Sequence, residues 1–388
     1  MNCGGRFAGD PFGLWKPLPD PRRPDLPYHS GLDLCIRRHI PPPPFGSTGY
    51  YKGEERQESL PQPIRAVTQS EWCLQHPPAD TPPHPDATVH NLRVIDQVAC
   101  EDGRGAQVLR CCLDQDEARV YVAKIFDPLY YSYADRGFGT AVDVTWLADQ
   151  QYSREAAGYE DLEKAGVDGV LVPKYYGSWT FDMPLLGSPV VMRPVRMVLM
   201  EWLQGVSMSS LIESNQVSRT PPVQRLNILA AAMEVECKIF FHGVRHGDFA
   251  PRNIMLVGSY MEAQAPRVFL VDLNNSSCLT RPRCRWKGIG ATRPISPRYR
   301  FWRACDNEFL AWVPEPHRSR RQVFTGWLKV HWEHSKEFAD RAELPYRFKD
   351  FDSPVEIVQP LPDTEPDPPL PTLPRRRLNT RRKVPGQP

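Results

Sequence analysis

The chain has 388 residues, with 48 Lys and Arg against 46 Asp and Glu, a net charge of +2 and a mean hydropathy of −0.48. So even a balance sets up no overall field toward nucleic acid or a membrane, and no run of about 18 apolar residues reads as a membrane-spanning helix. The first fifteen residues lack a basic stretch followed by an apolar one, so no secretory signal is expected.

At roughly 150 residues per domain, the length allows two or three domains. Residues 1–90 hold 17 of the 42 prolines and residues 351–388 hold 10, leaving 15 for the stretch between. Proline removes a backbone donor and resists regular structure, so 1–90 reads as a Pro-rich disordered arm and 351–388 as a Pro/Arg-rich disordered tail. Within the arm, Pro41–Pro44 favours polyproline II, either a stiff solvated linker or a ligand for a partner's aromatic groove.

From residue 91 the pattern changes. Short apolar runs at Val94-Ile95 with Val98, at Val108-Leu109 and from Val120 to Phe126 are interrupted by Gly103 and Gly105, and predict three antiparallel strands. Residues 153–165 predict a helix, with Ala156, Tyr159 and Leu162 at helical spacing and Ser153 as its N-cap. Two more strands are expected, over 170–181 and 195–200. The strongest helix covers 221–242: Thr220 caps it, Pro221 suits its first turn, and Leu226, Leu229, Met233, Cys237 and Phe240 form one stripe. The fold class is therefore α+β, a small antiparallel β lobe with one helix over 91–203 and a mainly helical lobe over 204–350. The ten cysteines are scattered with no CxxC pair, and the chain is long enough to build a core without staples. They read as reduced thiols of an intracellular protein. Cys278 and Cys284 have no second pair at zinc spacing.

The chemistry lies after the long helix. His246-Gly247-Asp248 is followed by Asn253, and an apolar run ends nineteen residues later at Asp272. Phosphoryl transfer needs this set: one Asp positions and deprotonates the attacking hydroxyl, while an Asn and a second Asp hold Mg²⁺ against the triphosphate. Hard oxygen ligands suit Mg²⁺, and few are needed because the nucleotide supplies the rest. A capping role for Asp248 and a strand-end role for Asp272 are the structural alternatives.

The stretch His246 to Asn253 resembles the catalytic loop of the protein-kinase-like superfamily. Its His-Gly-Asp opening is closer to the aminoglycoside and choline phosphotransferases, and the likeness extends to the divergent kinase-like proteins of filamentous fungi. Over about residues 94–275 the resemblance implies a bilobal kinase-like fold with ATP and Mg²⁺ as cofactors. It implies that Asp248 is the catalytic base, that Asn253 and Asp272 bind metal, and that Lys124 in Val-Ala-Lys-Ile contacts the α- and β-phosphates. Glu155 would pair with Lys124, with Glu160 as the other candidate. Gly103 and Gly105 would cover the phosphates, and the backbone of Glu201, Trp202 and Leu203 would receive adenine.

The chain departs from the pattern in several places. The third glycine of the loop is missing, Ala250 stands where serine/threonine kinases carry Lys, and Leu273-Asn274 replaces Phe-Gly. No Ala-Pro-Glu follows, and residues 276–300 are basic instead. The phosphate acceptor, protein or small molecule, is thus open. The alternative is a pseudokinase that acts as a scaffold through protein interactions, with its Pro-rich arms as docking segments. Aromatics from Trp302 to Phe338 read as core. The run Arg375 to Lys383 reads as a nuclear localisation signal, a phosphate-binding arm or a solvated charge run, giving a cytoplasmic or nuclear location. Nothing in the folded middle supports specific nucleic-acid recognition.

Overall fold

A computed structural model describes residues 14–135, 137, 139–261, 266–301, 307–344 and 355–361. Six antiparallel strands close into a barrel: β1 (Asp33–Arg38), β2 (Val89–Ala99), β3 (Gln107–Leu113), β4 (Tyr121–Phe126), β5 (Tyr175–Pro184) and β6 (Met192–Glu201). The strand order is β1-β2-β3-β4-β6-β5, and β1 closes the ring by pairing Arg37 with Thr180 and Arg38 with Trp179 on β5. The five strands expected of the small antiparallel lobe are thus joined by a sixth from the N-terminal region.

That strand corrects the reading of residues 1–90 as a disordered arm. In β1 the side chains alternate, with Leu34 and Ile36 buried and their neighbours Asp33, Cys35 and Arg37 exposed. Helices α1 (Pro61–Arg65) and α2 (Gln69–Gln75) follow. A reciprocal cap opens α2: Thr68 accepts from the Glu71 amide while Glu71 accepts from the Thr68 amide. The prolines of residues 14–90 fit this order because none of them sits inside a strand ladder. Pro41–Pro44 lie beyond the end of β1, and Pro61 and Pro63 sit in the first turn of α1, where no N–H is required. In the C-terminal tail, residues 355–361 are tied down: the Glu356 amide donates to Gln322 and the Leu361 amide to Glu315. The basic run Arg375–Lys383 and Trp302 lie outside the described residues.

Helix α3 (Val144–Lys164) joins β4 to β5 and begins nine residues before the expected start. Its cap is Asp143, which accepts from the Trp146 amide at 3.1 Å, and Ser153 lies inside the helix. After β6 come β7 (Gly205–Ser207), α4 (Met208–Glu213) and α5 (Pro222–Phe241). Pro221, not Thr220, is the N-cap of α5; the Thr220 hydroxyl donates to Gln216 O. Leu226, Leu229, Met233 and Cys237 are buried as the stripe requires. The remaining strands are β8 (Val244–Arg245), β9 (Ile254–Val257), β10 (Arg267–Leu270) and β11 (Ser277–Cys278). They form a β10-β9-β7 sheet and a β11-β8 pair. Helices α6 (Pro297–Arg300) and α7 (Arg321–His331) complete the chain order.

The buried apolar residues fall into two clusters. One fills the barrel and the underside of α1 and α2, with Leu92, Leu109, Ile125 and Leu199 at its centre. The other gathers α3, α5, the small strands and the C-terminal aromatics Phe309, Trp312, Phe324, Trp332 and Phe338. Among the described residues no helix is long and apolar enough to cross a membrane, and the eight described cysteines are unpaired.

Candidate active site

Lys124 sits on β4 between buried Ala123 and Ile125, in register with Val198 on β6. Its ammonium donates to Glu155 Oε2 at 2.6 Å and to Asp272 Oδ1 at 2.7 Å. The two carboxylates come from α3 and from the turn after β10, which are 31 and 148 residues away in sequence. Glu160 turns elsewhere and meets Arg281 at 2.7 Å. Lys124 and Asp272 are thus in direct contact across the fold.

A glycine allows this approach. Gly158 lies one turn beyond Glu155, and a Cβ there would stand 3.0 Å from Leu273 Cδ1 and 3.1 Å from Ser276 Oγ. The turn carrying Asp272 can therefore seat directly on α3, where Ser276 Oγ donates to Arg154 O at 3.2 Å. Asp272 itself adopts φ +67°, a left-handed conformation that Asp tolerates better than most residues.

Charge in this group is uneven. Burial pushes the Glu155 carboxyl above its ordinary value; the Lys124 ammonium opposes the rise and the Asp272 charge adds to it. Burial acts on Asp272 in the same sense, but there the Lys124 charge and hydrogen bond prevail and hold it below the usual range. Burial alone would lower Lys124; Asp272 and Glu155 together raise it. The ammonium is therefore firmly charged. Glu155 is fully buried, while the Asp272 side chain is 36% exposed, so only Asp272 can also meet a solvent-borne group.

The second half of the site is the loop after β8. His246 is buried and bridges two segments, its Nε2–H donating to Val271 O at 3.0 Å and its Nδ1 accepting from the Asp248 amide at 3.3 Å. Burial lowers its pKa, which suits this neutral imidazole. Gly247 has φ +81°, and a Cβ there would fall 2.3 Å from Asn275 O, so the His-Gly-Asp turn requires glycine. Asp248 Oδ2 accepts from Asn253 Nδ2 at 3.0 Å, and Asp248 O accepts from the same amide at 2.9 Å. With its NH₂ so engaged, Asn253 keeps its carbonyl oxygen for another partner. The Val271 amide donates to Asn253 O at 2.9 Å, continuing the β9–β10 register in which Leu270 faces Ile254. Asn253 and Asp272 are thereby held on neighbouring strand ends.

The glycine turn differs from a free flap. The Gly103 amide donates to Tyr130 O at 3.0 Å, and residues 103 and 104 bridge to Tyr131. Buried Gln107 staples the turn from below, accepting from the Glu101 amide at 2.9 Å and donating to Gly105 O at 2.9 Å. One of the two amides expected to cover phosphates is thus already engaged. A cavity of about 690 Å³ lies beside this turn, lined by Trp15, Arg23, Asp102, Gly103, Tyr131 and Tyr133 among others, and it contains none of the Lys124 group. At the link between β6 and β7, the Glu201 amide donates to Lys174 O at 2.9 Å and Leu203 O accepts from Gly205 at 2.9 Å. The Trp202 ring carries the Arg110 guanidinium at 5.6 Å. The Leu203 N–H donates to no backbone carbonyl among the described residues.

Sequence reading missed two partners. Arg252 donates to Asp248 Oδ1 at 2.6 Å and to Glu308 Oε2 at 2.6 Å. Arg252 stands four residues after Asp248 in the motif, so its contact was open to inspection. Glu308 is 56 residues away and carried no local signal. Phe249 also stacks on Phe309 at 5.0 Å between ring centroids, which anchors the loop to the same segment.

Among the described residues no cluster of three or more His, Cys, Asp and Glu is arranged to hold a metal ion alone. The donor set of Asn253 and Asp272 consists of hard oxygens, one of them charged and solvent-accessible. It fits a Mg²⁺ ion whose remaining ligands come from phosphate and water.

No family model matches this chain, and no curated protein matches it. Among solved structures, the kinase domain of PknI from Mycobacterium tuberculosis aligns over 61% of this chain and 73% of its own, at 14% identity and a TM-score of 0.29. A superposition that loose carries no argument about this protein. What can be said of the class is that the protein is a mixed α+β chain with antiparallel sheets and one closed barrel.

Proposed function

We propose that the chain is a kinase-like phosphotransferase, bilobal in plan, that moves the γ-phosphate of ATP to a hydroxyl of a protein or small-molecule acceptor. The observation that carries this reading is the convergence of Lys124, Glu155 and Asp272 from three distant segments onto one charged group. Asp248 and Asn253 stand on the strand end next to it.

Each residue has a distinct task on this reading. Lys124, held upright by Glu155, grips the α- and β-phosphates. Asn253 and Asp272 would hold Mg²⁺, which supplies neutralisation of the triphosphate charge. Asp248, aligned by Asn253 and Arg252, orients the acceptor hydroxyl and takes its proton. His246 keeps the Asp248 loop in register with the Asp272 strand. The Leu203 N–H receives adenine. Because Asp272 now neutralises Lys124, phosphate and Asp272 compete for the same ammonium, and nucleotide binding should depend strongly on Mg²⁺.

The tethered glycine turn favours a second reading, a protein-binding scaffold with weak or no nucleotide affinity. ATP binding and phosphate transfer to generic acceptors, measured for wild type and two variants, separate the two. On the enzyme reading a thermal shift appears only with ATP and Mg²⁺ together. Asp248→Asn keeps that shift and lowers transfer by about 10²-fold or more. Asp272→Asn weakens metal-dependent binding itself. A wild type that neither binds Mg-ATP nor transfers phosphate overturns the enzyme and leaves the scaffold.

A further inference from the structure

Residues 276–300, which follow the candidate site, contain seven Arg and Lys and no Asp or Glu. Four of the seven find carboxylates elsewhere. Arg281 meets Glu160 and Asp161, Arg283 meets Glu55, Arg293 meets Asp340 and Glu343, and Arg300 meets Glu236. Arg298 rests on its neighbour Tyr299. Arg285 and Lys287 form no ion pair among the described residues, nor does Arg245 on β8, three residues before Asp248.

These cations sit on a built surface. The Tyr51 amide donates to Arg283 O at 2.8 Å and the Arg285 amide to Gly49 O at 2.9 Å, so residues 49–51 run zipped to 283–285. The Arg285 guanidinium lies over the Tyr51 ring at 4.9 Å, and its Nε donates to Tyr50 O at 3.0 Å. Arg245 lies over the Trp286 ring at 4.3 Å. Stacking fixes each guanidinium plane while its N–H edge keeps free donors. The rings themselves remain open to solvent, Tyr51 at 59% and Trp286 at 42%. Burial and the nearby Arg300 charge lower Arg245, with the charge of Glu236, itself paired to Arg300, opposing them.

We infer that this face binds an acidic peptide segment, and that, resting on the phosphotransferase reading, it selects protein acceptors whose target hydroxyl is flanked by Asp and Glu. Guanidinium edges suit carboxylates. Three cations without a salt-bridge partner match a short run of carboxylates better than the roughly six to ten phosphates a duplex-binding surface neutralises.

The test uses the full chain and three fluorescein-labelled probes: a twelve-residue Glu/Asp/Ser peptide, its Gln/Asn/Ser counterpart and a dT12 oligonucleotide. The acidic peptide should bind with an affinity that falls as salt rises, and the neutral peptide should not bind. Arg285→Glu/Lys287→Glu, which alters only exposed side chains, should weaken binding at least tenfold while leaving the thermal midpoint and the Mg-ATP response as in wild type. Trp286→Ala, which removes the support of Arg245, should weaken it several-fold. No acidic-peptide binding, binding unmoved by the double variant, or tighter binding of dT12 than of peptide each overturns the inference. Failure of the phosphotransferase reading looks different: charge-dependent peptide binding persists in a chain that ignores Mg-ATP.

Discussion

At the level of single residues, the core of the site is a buried cation between two carboxylates of unequal exposure. Lys124→Met would leave Glu155 buried without its counter-charge. Losing one partner of such a pair costs about 3–5 kcal/mol. Chemical denaturation should show that loss, and Lys124→Met/Glu155→Met should recover most of it, because the second substitution removes the stranded acid. A second buried acid contributes to the pH response alongside Glu155. Asp149 on α3 accepts from the Ala79 amide at 2.8 Å, and burial pushes its carboxyl up to about 6, with that amide and Arg196 opposing the rise. The folded state therefore holds this proton more tightly than the unfolded chain. The resulting stability is complete below about pH 4 and lost as pH rises through about 6. Asp149→Asn keeps the acceptor oxygen and removes the charge. Relative to wild type it should be more stable at pH 8 than at pH 4 by about 1–2 kcal/mol, read from urea midpoints at the two pH values. The motif residues were legible because their geometry is local: His-Gly-Asp, the Asp-to-Asn spacing and Lys124 in its apolar strand each carry a short-range signature. Glu308 had none, since its value lies only in reaching Arg252 across the fold.

At the level of elements, the helix carrying Glu155 shows where periodicity falls short. Its first turns, Val144 to Tyr152, mix buried and half-buried positions, so no stripe announced the true start. Asp143 marks that start by accepting not one bond but several. It takes the Trp146 amide at 3.1 Å, the Ser59 amide at 2.9 Å, Trp72 Nε1 at 3.1 Å and both Arg56 nitrogens at 2.6 and 3.0 Å. An ordinary cap is worth about 1 kcal/mol. Asp143→Ala should cost more, about 3 kcal/mol, because it also strands the Arg56 charge and the Trp72 donor. Limited proteolysis should then cut first within residues 50–60, which lose their anchor to α3. Strand β1 was missed for a related reason. Six residues with two buried side chains look weak until the partners at 89–93 and 179–180 are known.

At the level of the whole molecule, proline content misjudged the first 90 residues because it reports on hydrogen-bond donors and says little about burial. Removing residues 14–88 would take β1 out of the ring and bare the facing edges of β2 and β5. Such edges invite pairing with other chains. The truncated protein should aggregate, as sedimentation or light scattering would report, whereas full-length protein stays dispersed. Net charge reports only the whole: a total of +2 averages over a chain in which residues 276–300 carry seven Arg and Lys and no acid.

Gly158 has a mechanical consequence. Because a Cβ at this position would crowd Leu273 and Ser276, glycine lets the turn behind Asp272 lie against the helix that carries Glu155, while the lysine comes from the barrel strand β4. A bulkier residue at 158 would press that turn away and loosen Asp272 from Lys124 while leaving Glu155 in place, so this one small residue sets how closely two acids can share an ammonium.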